Sequence, residues 1–103
     1  MNADQRLGFN TMYETVAASQ TDQVLGSAGA TGDLLETIIV TVSTSGATGI
    51  ASLKDGAGSS IPLVAASTPI GVYSIAIGAK SSGGAWKVTT GAAATAIAVG
   101  RFT

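Results

Sequence analysis

With 103 residues the chain has material for one domain, and a domain of that length hides only about 60–70% of the surface its unfolded form exposes, so its core must be thin. Charged residues make up 11% of the chain against roughly 25% in ordinary soluble domains, and the net charge of −1 comes from scattered positions without a run of one sign. That pattern argues against electrostatic capture of nucleic acid or of an anionic membrane surface. Histidine and cysteine are both absent, which removes the usual general base near neutral pH, the thiolate nucleophile and any disulfide staple.

Residues 1–12 are polar, with Leu7, Phe9 and Met12 spaced along them and no sustained period. They read as an extended arm that leaves its own domain, with Arg6 as a charge-assisted donor and Leu7, Phe9, Met12 and Tyr13 as anchors on a neighbouring surface. The opening residues lack the apolar centre of a signal peptide, and no apolar run approaches the ~18 residues needed to span a bilayer, so synthesis and assembly in the cytoplasm are expected.

From Tyr13 onward the chain becomes a series of short Val-, Ile- and Thr-rich runs separated by Gly and Ser clusters at intervals of about ten residues, the rhythm of sandwiches and barrels. Strands are predicted at Tyr13–Ser19, Gln23–Leu25, Leu34–Ser43, Gly49–Lys54, Ser60–Val64, Val72–Ile77, Trp86–Thr89 and Thr95–Phe102. In the third, Ile38, Val40 and Val42 share one face and Thr37, Ile39 and Thr41 the other, so one side meets the core and the other is free for a partner. In the sixth, Tyr73, Ile75 and Ile77 point together toward the buried side. Pro62 has no N–H to give a ladder, which assigns the fifth strand to a sheet edge. Glycine-rich loops are predicted at Gly26–Gly32, Asp55–Ser60, Ala79–Gly84 and Gly91–Ala94. The expected fold is all-β: a two-sheet β-sandwich or jelly-roll-like barrel of about eight short strands over residues 13–103, preceded by the arm.

Few residue groupings offer chemistry. Lys80 beside Ser81 and Ser82 would need a desolvated lysine to act as a dyad, and Asp33 with Glu36 would need enforced proximity. Both are read instead as solvated loop residues. Gly78-Ala79-Lys80-Ser81 lacks the Gly-Lys step and the following helix of a phosphate loop, and Gly26, Gly29 and Gly32 have the wrong spacing for a dinucleotide fingerprint. Asp22, Asp33, Glu36 and Asp55 form no recognised calcium loop and read as isolated surface carboxylates. No enzymatic activity, cofactor or metal is expected. Trp86, the one tryptophan, has two readings: an anchor of the core, or an exposed anchor gripping a neighbour.

The segments Val24-Leu25-Gly26-Ser27, Ser52-Leu53-Lys54-Asp55-Gly56, Gly84-Ala85-Trp86-Lys87-Val88-Thr89-Thr90-Gly91 and Ile97-Ala98-Val99-Gly100-Arg101-Phe102-Thr103 follow one another in an order that resembles small virion structural proteins of tailed bacteriophages. The resemblance covers Val24 to Thr103 and rests on structural rather than catalytic motifs. It implies a capsid decoration or cement protein, often trimeric and jelly-roll-like, that binds the major capsid protein or another virion protein. A tail, collar or fibre-base component, or a receptor-binding module, is the alternative. Composition leads to the same class: few charges and many small side chains favour a surface that gains by burial against copies of itself, with a homotrimer expected.

Overall fold

Leu34–Val42 carries the strongest alternation in the chain, and in the computed structural model, which describes residues 11–44 and 51–103, it forms the central strand β3. Ile38, Val40 and Val42 are fully buried while Thr41 is exposed, as a strand with one face on a core requires. Around it lie β1 (Met12–Val16), β2 (Gln23–Val24), β4 (Ala51–Asp55), β5 (Ile61–Val64), β6 (Gly71–Lys80), β7 (Trp86–Thr90) and β8 (Ala94–Arg101). They make two antiparallel four-stranded sheets, β1-β8-β3-β6 and β2-β7-β4-β5.

Within those sheets β1 pairs with β8, β2 with β7, β3 with β6 and β4 with β5. This is the strand order of a jelly roll, in which a chain doubled back at β4–β5 wraps around a common core. Among the described strands only β4 and β5 are consecutive within one sheet; every other consecutive pair belongs to different sheets.

Small residues decide how deep the core can be. The inward row of β8 is Ala94, Ala96, Ala98 and Gly100, all buried, lying beside the larger inward row of β3. The space those alanines leave is matched by Leu53, Trp86 and Val88 on the facing sheet, which belong to the same buried cluster. Alternating large and small side chains across facing layers is how such a core fills without strain. Gly100 is obligatory for a second reason: a Cβ there would lie 2.1 Å from the Leu34 carbonyl oxygen.

The strands match the sequence reading closely, and the differences have local causes. β6 runs on to Lys80, where a loop was expected from Ala79, because Gly78 adopts φ +63° and absorbs an extra residue as a bulge. The extra residue on β3 relative to β8 is Glu36. β1 stops at Val16, short of the predicted Ser19, which takes a left-handed φ of 61°. Pro62 does lie on an edge strand, β5, which is further bulged opposite Ala51–Ser52. Gly49 and Ile50 of the fourth predicted strand lie outside the described residues.

Candidate protein interface

Because side chains alternate across each strand and the register is fixed, the outward face of the first sheet can be read row by row. One row is Tyr13, Val99, Thr37 and Ala76; the next is Thr15, Ile97, Ile39 and Ser74; a third is Thr95, Thr41 and Val72. No charged side chain stands in these rows. Tyr13 is 72% exposed, Val72 68% and Ile97 38%, so large apolar groups face outward on three of the four strands. Lys80 and Arg101 stand at one end of this sheet. There Leu34 is the register partner of both Lys80 and Arg101, and a cleft of about 560 Å³ opens between them, lined also by Met12, Asp33, Phe102 and Thr103.

The second sheet turns a different face outward. Lys87 stands directly opposite Lys54, and Lys54 Nζ lies 3.4 Å from Asp22 Oδ2. Asp22 also accepts a hydrogen bond from Thr89 Oγ1 at 3.2 Å. A partner covering this sheet would have to desolvate both lysines, whereas one covering the first sheet would meet only hydroxyls, methyls and one phenol.

Two carboxylates hold the scaffold behind these faces. Asp33, only 6% exposed, accepts hydrogen bonds from Ala30 N (3.0 Å), Thr103 N (3.2 Å) and Thr103 Oγ1 (3.2 Å), while its carbonyl accepts from Trp86 Nε1 (2.9 Å) and Ser81 N (3.0 Å). One residue thereby ties the β2–β3 loop, the β6–β7 loop, Trp86 and the segment after β8. This corrects its reading as a solvated surface carboxylate: the backbone donors around it replace the water it would lose. Ser81 is likewise buried, its Oγ held by Gly32 N at 3.0 Å and by Ala30 O at 3.3 Å, and Ser82 Oγ donates to Asp55 Oδ2 at 3.0 Å. Neither hydroxyl is bonded to Lys80, which ends β6 in solvent. Glu36 does not meet Asp33; its Oε2 accepts from Thr11 Oγ1 at 3.5 Å.

Asp55 anchors the other end. Its carboxylate accepts from Gly83 N at 2.9 Å and Ser82 N at 3.0 Å, and those donors, Gly83 first, hold its pKa below the ordinary 3.8. Gly56 must be glycine here, with φ +61° and a Cβ position 2.3 Å from the Gly83 carbonyl oxygen. The described residues contain no group of three or more carboxylates placed to hold a metal ion.

Of the residues singled out in the sequence, Arg6, Leu7 and Phe9 lie outside the described residues. Met12 opens β1 at 46% exposure, beside the cleft, and Tyr13 follows it on the outward face. Trp86 is 4% exposed and its N–H is satisfied internally, so it is the anchor of the chain's own core and offers little to a neighbour. The structure thus places Tyr13 on the same outward face as Ile97, Ile39 and Val72, residues the sequence reading did not connect to it. Comparison with protein-family models, with curated proteins and with solved structures returned no match.

Proposed function

We propose that the chain is a non-enzymatic structural protein of a phage virion, which decorates or cements the capsid through contacts with the major capsid protein and with copies of itself. The observation that carries this reading is the uncharged outward face of the first sheet. A jelly-roll strand order is common to viral capsid, lectin and cupin domains, so the architecture alone does not choose among functions. A flat Thr-, Ile- and Val-rich face without charges gains by association, at ~25 cal/mol per Å² of apolar area removed from water before association costs. A receptor-binding module would need polar and aromatic groups converging on loops, yet the exposed phenol of Tyr13 sits on a strand and the loops carry chiefly Gly, Ala, Ser and Thr. A tail, collar or fibre-base component would use the same face and is separated by location.

Reconstruction of the virion of the phage that encodes the chain tests the proposal directly. Density for the jelly roll on the capsid shell, with the Tyr13–Ile97 face against a neighbour, is expected; its absence from the particle would overturn the reading, and its presence in the tail would move the function to the alternative. A biochemical arm uses Ile97→Asp, which should abolish rebinding to particles lacking the protein while leaving the fold intact.

A further inference from the structure

We infer that the outer edge of β6 pairs antiparallel with the same edge of a second copy, about a two-fold axis passing through Ser74. The four edge strands of the sandwich differ in how they are protected. β2 is two residues long, and β5 is four residues with Pro62 and a bulge. β1 carries Glu14, whose carboxylate accepts from Gly26 N at 2.7 Å and Gln23 Nε2 at 2.8 Å and so ties the edge of one sheet to the other. Over Gly71–Ile77 β6 has none of these devices, and its bulge lies beyond that segment at Gly78. It is ten residues long, pairs only with β3 among the described residues, and carries no charge before Lys80. A long uncharged edge is a template for another strand.

Two further features give the partner its identity. The core-facing side chains of β6, namely Tyr73, Ile75 and Ile77, stay half-exposed, whereas Val16, Ile38, Val40, Leu53, Val88 and Ala98 on the other strands are buried to 1% exposure or less. An added strand would cover them. β6 pairs residue for residue with β3 from Gly71 to Ala76 and runs on to Ile77 before the left-handed Gly78 bends it, so the straight segment 71–77 has its midpoint at Ser74. Pairing that segment with itself sets Tyr73 opposite Ile75, Val72 opposite Ala76 and Ser74 opposite Ser74. An aromatic thereby meets a β-branched side chain twice, with no charge conflict anywhere in the ladder. The outward faces of the two copies then join into one sheet twice as wide. This two-fold contact takes the place of the three-fold association expected from composition, and it holds whether or not the protein works in a virion.

Light scattering of the purified full chain across a concentration series should give an even-numbered mass. Ser74→Lys places two ammonium groups across the axis and should halve that mass with an unchanged circular dichroism spectrum. Since the chain has no cysteine, Ser74→Cys introduces a single thiol, and mild oxidation should join two copies covalently, far faster than for Thr41→Cys on the neighbouring strand. A wild-type mass that stays monomeric or odd-numbered, a Ser74→Lys protein of unchanged mass, or equal cross-linking of the two thiol variants would overturn the inference. The solution mass is read without particles, so its outcome is independent of the virion assignment.

Discussion

Across the first sheet the row Thr15, Ile97, Ile39 and Ser74 passes over four strands without meeting a charge, whereas across the second sheet the row Val24, Lys87 and Lys54 sets two ammonium groups side by side. Both rows rest on the same buried cluster, so the difference owes nothing to the core. Like charges directly opposite one another in a sheet repel, and they persist where solvent screens them and where a carboxylate such as Asp22 stands close. The second sheet is therefore built to stay wet. The first has no such device, and its apolar groups are stabilised further only when something covers them.

The comparison can be broken from below by damaging what the two sheets share. Trp86→Ala should have the largest effect, about 3–5 kcal/mol of lost stability by denaturant titration, since it removes the largest side chain of the shared core and one of the two donors to the Asp33 carbonyl. A loss under about 1 kcal/mol would mean that the two sheets are not held by one core. Asp33→Ala should follow at about 2–3 kcal/mol, because the Ala30 and Thr103 amides lose their acceptor.

Acid sharpens the contrast between buried and exposed carboxylates. The folded-state pKa of Asp55 lies below its unfolded value of about 3.8, so its contribution is fully present above that pH and is lost as pH falls through the lower folded value. Thermal midpoints followed from pH 6 to pH 2 should show wild type above Asp55→Asn at neutral pH, with the gap closing below about pH 4. A gap that is independent of pH would show that the Ser82 and Gly83 amides do not favour the ionised form.

The smallest stability effects belong to the faces themselves, and there the readout is assembly. Ile97→Asp and Lys54→Ala should each change stability by only about 1 kcal/mol or less, the second because an exposed ion pair is worth little. Yet only Ile97→Asp should reduce association. Equal loss of association by both would erase the distinction between the two sheets.

Much of the scaffold was legible because it depends on local rules. The alternation of β3 and β6 fixed which side of each faces the core, although on β6 that side stays half-exposed, and the missing N–H of Pro62 placed β5 at an edge. The interface was legible only in part. Tyr13 and the outward residues of β3 were noted separately, but that β8 lies between their strands follows from long-range pairing that no local pattern specifies. Asp33 was misread for a related reason. An aspartate between Gly32 and an apolar strand is a turn signal, and its burial depends on Thr103 and Trp86 arriving from far along the chain. The sixth strand was ended at Ile77 although it continues through Gly78 to Lys80, because a glycine that bulges a strand and one that ends it look alike in sequence.

The wrapped strand order also sets the sequence of events as the chain leaves the ribosome. The β4–β5 hairpin can close as soon as residue 64 is free, since its two strands are neighbours in both chain and space. β3, by contrast, pairs on one side with β6 and on the other with β8, and among the described residues β1 has no partner until β8 is synthesised. Met12–Val16 must therefore wait through most of translation with its ladder unmade, and folding is expected to be slow for a domain of this size because almost every pairing closes a long loop. The apolar faces of β1 and β3 are exposed throughout that wait, which makes the nascent chain, rather than the finished jelly roll, the state most prone to aggregation.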